Sequence, residues 1–328
     1  MKKFIKFKNL AITALTVLFL TSCSNDDNGP VVVPEQTIVD IAVANPDFSI
    51  LVQALTKANL VTTLDGDGPF TVFAPTNAAF TAFLSANGFA NLDAVPPAVL
   101  KEVLLNHVVA GKNLSTDLST GYVKTLGKGS ASTSNTLSMF VNTTNGVVLN
   151  GGTTNGGATV TTANIQASNG VIHVVNGVIG LPTIVNHAIA NPSFGILVQA
   201  LTRNDQPDFV GILSGTTSSP FTVFAPTDEA FVDLLAELEL SSLAGVPQAI
   251  LENTLKYHVV TEANVLSTAL TNNQSVTTFQ GGTFTVELPS SGPQIRDAND
   301  RVSLIIATDV QASNGVVHAI DKVILPGS

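Results

Sequence analysis

A chain of 328 residues has room for about two domains of ordinary size. Hydrophobic residues make up 45% and charged residues only 12%, which excludes an intrinsically disordered chain. The net charge of −10, without basic clusters, excludes a binder of the nucleic-acid backbone, and a single cysteine excludes an intramolecular disulfide or a cysteine-based metal cluster.

The first 22 residues read as a secretory signal. Lys2, Lys3, Lys6 and Lys8 precede an apolar run from Leu10 to Leu20, about half the ~20 residues that a permanent membrane span needs. Leu20-Thr21-Ser22-Cys23 resembles the lipobox of bacterial lipoproteins, which implies cleavage before Cys23 and its acylation. Residues 23–36 then form a flexible tether. Ser24 after the cysteine fits outer-membrane sorting, and Asp26-Asp27 resembles the export signal of surface lipoproteins. The expected location is therefore the cell envelope, lipid-anchored in the outer membrane, with possible exposure outside the cell as a further expectation.

Beyond the tether, Ile38, Ile41 and Ala42 have helical spacing. Asn45-Pro46 breaks the pattern, and Phe48, Leu51, Val52 and Leu55 resume it. The turn Asp65-Gly66-Asp67-Gly68 leads into an apolar strand from Phe70 to Phe73. The turn lacks the third aspartate and distal glutamate of a calcium loop. Thr76 is a good N-cap for a helix holding Ala79, Phe80 and Phe83. Pro96-Pro97 opens another helix, with Leu100, Val103, Leu104 and His107 on one side. Short β-prone runs follow at 137–142, 146–150, 158–165 and 171–175. Helices packed on a mostly antiparallel sheet make an α+β domain.

The chain then repeats itself. Residues 37–56 match 183–202 at 15 of 20 positions, 69–80 match 220–231 at 10 of 12, and 165–179 match 310–324 at 9 of 15. The offset between copies runs 146, 151, 145, so the second copy gains five residues near 203–219 and loses six before the final block. This period is that of a whole domain, which gives domains at 37–180 and 183–326. Only Gly180-Leu181-Pro182 joins them, a link short and stiff enough to predict a semi-rigid pair.

Three blocks carry a resemblance to the fasciclin domain family. These are TVFAPT with its following helix (71–80 and 222–231), SNGVIHVVNGVI (168–179) with SNGVVHAIDKVI (313–324), and Tyr257-His258 between them. The resemblance implies a wedge-shaped β-sandwich decorated by helices, and adhesion to matrix, cells or glycans. It also points to partner-binding residues. The Tyr-His pair is Tyr257-His258 in the second copy and Asn106-His107 in the first. The family's Asp-Ile pair corresponds to Asp309-Val310 in the second copy and Asn164-Ile165 in the first. The second copy, which keeps both the phenol and the carboxylate, is the better candidate for binding.

Four of the five histidines, His107, His173, His258 and His318, fall at equivalent positions. They could form a binding or metal site in each domain, but a metal needs further ligands that the motifs do not supply. Buried imidazoles hydrogen-bonded to backbone would give the same pattern, and that role is expected. No nucleophile elbow, zinc-protease motif, phosphate loop or dinucleotide fingerprint occurs, so neither catalysis nor a cofactor is expected. The expected partner is a protein or polysaccharide at the cell surface or matrix, with membrane contact through the lipid anchor. The alternatives are an envelope carrier of a small molecule or lipid, and a hydrolase of unfamiliar type.

Overall fold

The computed structural model describes residues 35–327; the signal segment, Cys23 and the tether up to Pro34 lie outside the described residues. From Glu35 onward the chain is one compact unit built of two similar halves.

In the first half, α1 (Ile38–Ala44), α2 (Ser49–Lys57) and α3 (Val61–Leu64) lead into β1 (Phe70–Pro75), α4 (Asn77–Ala86) and α5 (Pro97–Leu105). Then come β2 (Val108–Ala110), β3 (Gly121–Lys128), β4 (Thr136–Asn142), β5 (Val148–Leu149), β6 (Ala158–Ala167) and β7 (Gly170–Val175). The helix starts follow their caps. The Thr37 hydroxyl accepts from the Asp40 N–H while the Asp40 carboxylate accepts from the Thr37 N–H, and the Thr76 hydroxyl accepts from the Ala79 N–H. The second half repeats the order with α6 (Ile184–Ala190), α7 (Gly195–Leu201), α8 (Phe209–Ser214), β8 (Phe221–Pro226), α9 (Asp228–Glu237) and α10 (Gln248–Tyr257). Its strands continue as β9 (Val259–Val260), β10 (Gln274–Thr277), β11 (Thr283–Glu287), β12 (Gln294–Arg296), β13 (Val302–Ala312) and β14 (Gly315–Ile320).

The TVFAPT strand of each half lies between an antiparallel and a parallel neighbour: β1 between β2 and β7, β8 between β9 and β14. Both its edges are therefore paired, and its alternate side chains enter the two cores on either face, which is why it reads as an unbroken apolar run. The buried hydroxyl of Thr71 donates to the Gly111 carbonyl and accepts from the Asn113 N–H. Thr222 does the same with Ala263 and Val265. A polar side chain is tolerated in this core strand because it holds down the following loop.

Each half has two cores. One lies between helices and sheet, with Phe48, Leu55, Phe80, Leu100 and Leu104 in the first half. The other lies among the strands themselves, with Phe73, Met139, Val141, Leu149 and Val175. The strands of the first half close into a seven-stranded barrel, whereas those of the second form an open seven-stranded sheet. Strands β2 and β3 were not anticipated from the sequence, and the expected run 146–150 pairs only at Val148–Leu149. β3 is half-exposed and rich in Gly and Lys, so it lacks the alternation by which a strand is recognised. His107 lies past the last turn of α5 rather than on it.

The halves touch beyond their linker. The Ala131 N–H donates to the Ser313 carbonyl at 2.9 Å, and the Gln311 N–H donates to Ser138 Oγ at 3.0 Å. Asn155 and Asn186 exchange side-chain and backbone hydrogen bonds across the same boundary. Much of the second copy's shortening falls where the first makes these contacts. Residues 121–135, holding β3 and the Gly129–Ala131 loop, correspond to 274–282 in the second half.

Candidate interaction site

The repeated histidines sit inside the scaffold. His107 follows α5, and the peptide geometry aims its ring back at the helix. Nδ1 donates to the Val103 carbonyl at 2.7 Å, and Nε2 accepts from the Ile179 N–H at 2.9 Å. His258 does the same with Thr254 and Ile324. His173 and His318 use the opposite tautomer. Nε2 donates to the carbonyl of Asn113 or Val265, while Nδ1 faces the N–H of Asn164 or Asp309 at 3.4 Å. Both rings also stack on the phenylalanine of the TVFAPT strand. A neutral imidazole donates from one ring nitrogen and accepts at the other, so His107 and His258 tie a helix end to the segment after β7 or β14, and His173 and His318 tie a loop to β6 or β13. Burial lowers the pKa of all four, His107 and His258 to about 4, so they are neutral at pH 7. Among the described residues no group of three or more His, Cys, Asp or Glu converges as a metal would need.

The residues that the resemblance marked for partner contact are placed as follows. Tyr257 is fully buried at the end of α10, packs edge-on against Phe284, and donates its hydroxyl to the Thr283 carbonyl. Asn106, its counterpart, is buried too. It donates to the Gly180 carbonyl and accepts from the Thr125 hydroxyl, so amide and phenol play parallel tying roles. His258, His107 and Val310 are buried, and Ile165 is half-buried against the first core. Asp309 and Asn164 are partly exposed. Both stand at an irregularity of the strand with left-handed backbone, φ 62° and 66°, where Asp and Asn are tolerated because their short polar side chains bond locally. The Asp309 carboxylate accepts from the Ser267 N–H and hydroxyl. Asn164 accepts from the Ser115 N–H and donates to its hydroxyl. Of the four residues marked in the second half, Asp309 alone keeps exposed surface.

Residues that the repeat comparison passed over meet between the halves. Tyr122 and Lys124 on β3 face α6 and β13. Tyr122 packs edge-on against Phe140 and against His187, and its hydroxyl accepts from Asn191 Nδ2. Lys124 Nζ donates to the Asp309 carbonyl at 2.7 Å and to Ser138 Oγ at 3.0 Å. The signal was available as a departure from the repeat, since His187 stands where the first copy has Ile41.

The sequence matches the family model of the Fasciclin domain twice, over residues 46–182 and 192–326. The protein sll1483 of Synechocystis is 40% identical over 143 residues, 44% of this chain and 72% of that protein. Human periostin is 28% identical over 275 residues, 81% of this chain but 29% of its own length, so the chain spans under a third of it. The structure of a FAS1 domain pair from the insect cell adhesion molecule Fasciclin I superposes with a TM-score of 0.53 at 17% identity, covering 86% of this chain and 98% of the other. The chain belongs to the fasciclin domain family, with two domains in tandem.

Proposed function

We propose that the protein is an envelope lipoprotein, anchored through Cys23, whose paired fasciclin domains mediate adhesion to a protein or polysaccharide partner at the cell surface or matrix. The observation that carries this reading is the tandem family match in a chain that ends its signal-like segment at a lipobox-like cysteine. A relative found as a domain pair is described as a cell adhesion molecule, which supports the same reading. Two domains on one tether can engage a repetitive partner together, gaining avidity without tight single-site binding. Within the second domain the contact is assigned to the edge around Asp309, because Tyr257, His258 and Val310 have no surface to offer. The carrier alternative fares worse. The apolar cavities beneath the helices hold only about 30 and 20 Å³, room for a water or two rather than a lipid.

Binding of the protein to immobilised matrix proteins and polysaccharides, beside Asp309→Asn, tests the proposal. Asn164 already fills the equivalent place in the first domain, so Asp309→Asn keeps the fold while removing the charge. Loss of binding with unchanged stability supports a carboxylate contact. Binding that survives the change moves the contact elsewhere. No binding to any partner, with normal adhesion of a deletion strain, rules out the adhesive role.

A further inference from the structure

The fifth histidine is built differently from the other four. His187 is 1% exposed on α6 at the boundary between the domains. Nε2 lies 3.3 Å from the Gln311 carbonyl, so it carries the proton. Nδ1 is buried and has no hydrogen-bond partner, unlike either ring nitrogen of His107 or His258. The ring is covered from the other domain by Tyr122, 5.5 Å away and edge-on, and Tyr122 also packs against the second domain's core.

The charged and titratable groups around the ring offer no acceptor for a second proton. β3 supplies Tyr122, whose hydroxyl is kept neutral by burial, and Lys124, whose positive charge opposes another cation. β13 supplies Asp309, but its carboxylate is turned to Ser267 and its carbonyl to Lys124. α6 itself supplies Asn186, which is bonded to Asn155. The Asn191 amide is directed to the Tyr122 hydroxyl. An imidazolium here has an N–H at Nδ1 aimed at nothing, which a buried site does not tolerate.

We propose that His187 is an acid-sensitive latch between the two domains: its protonation parts the seam and uncovers the β3 face and the β13 backbone at Asp309 that Lys124 covers in the closed pair. The seam is the cheapest thing to give way. It rests on hydrogen bonds involving Ala131, Ser138, Lys124 and Asn155 and on the packing of Tyr122 against His187 and the second domain, a smaller apolar contact than the continuous cluster beneath the helices of each domain. The sign follows from burial. In the closed pair the imidazole pKa is lowered to about 4, mainly by desolvation, and it returns toward 6.5 when the ring meets water. Closure is therefore fully favoured above about pH 6.5 and is lost as the pH falls toward 4. From pH 7.5 to 5.0 the ratio of open to closed pair rises about 30-fold.

Hydrogen exchange of the full chain, corrected for intrinsic rates, reads this directly. The Ala131 and Gln311 amides, which donate across the seam, lose about 30-fold protection between pH 7.5 and 5.0 through an opening that His187 controls, whereas core amides such as Val141 and Val286 follow global stability, whose pH dependence His107 and His258 set. His187→Ile, which copies the first domain's Ile41, and His187→Gln, which cannot take up a proton in this range, both abolish the pH response of the seam amides and leave that of the core amides unchanged. Two variants guard against one that packs poorly. Seam protection that is constant with pH in the unmodified protein overturns the proposal, as does an equal loss in both variants. Seam amides that exchange at the same rate as the core amides at both pH values also overturn it, because the seam then opens only in global unfolding.

Discussion

His258→Ala removes the ring that joins α10 to the segment after β14. The substitution leaves the buried Ile324 N–H without an acceptor and the Thr254 carbonyl without its donor. An unsatisfied buried N–H costs about 1–3 kcal/mol, and the vacated ring adds a cavity, so a loss of about 3–4 kcal/mol is expected at pH 7.5. For a domain of this size that lowers Tm by about 10 °C, readable by calorimetry or circular dichroism. The pH dependence makes the prediction specific. Burial lowers the folded pKa to about 4, so between about 6.5 and 4 the unfolded chain binds a proton that the folded chain does not. Stability from this site is complete above about pH 6.5 and falls as the pH drops, by about 2 kcal/mol at pH 5. The alanine variant has no such site, so its deficit shrinks to about 1–2 kcal/mol at pH 5. A deficit that is the same at both pH values, or absent at pH 7.5, would refute a structural neutral imidazole.

Asn314→Ala should cost about 2–4 kcal/mol, because its buried amide accepts from the Ile184 N–H and donates to the Leu213 and Gly215 carbonyls. A lower denaturation midpoint with an unchanged slope is the expected readout, and Asn169→Ala should match it in the first domain, where the amide bonds Ile38, Leu64 and Gly66. Glu237→Ala, by contrast, should cost under about 1 kcal/mol, measured the same way. Glu237 bridges Arg301 and Lys322 at the surface, and the first domain has Ala86, Gly156 and Gly177 in those places around an open groove of about 180 Å³.

Helix starts and the β1 strand were legible because their causes are local. The Thr37 and Thr76 caps, the Asn45-Pro46 break and the unbroken run at Phe70 each act within a few residues. The Tyr-His and Asp-Val pairs were legible as motifs but not as surfaces. Whether Tyr257 faces solvent depends on Phe284 and Thr283, which arrive from a strand some 26 residues later. The residues that the two copies share, such as His107 with His258 and Asn169 with Asn314, are mainly those that hold the fold together.

The sequence by itself determined that there are two copies of one α+β domain and the family they resemble, and it pointed to a buried, backbone-bonded role for four histidines. Only the tertiary structure decided that one sheet closes into a barrel and the other stays open, and that Asp309 alone of its group reaches the surface. It also placed His187 beneath Tyr122 from the other domain. These outcomes turn on partners far apart in the chain, such as Lys124 with Asp309 and Ser138 with Gln311. Periodicity and propensity report on neighbours along the chain, whereas burial and the satisfaction of a polar atom are settled by what packs against it.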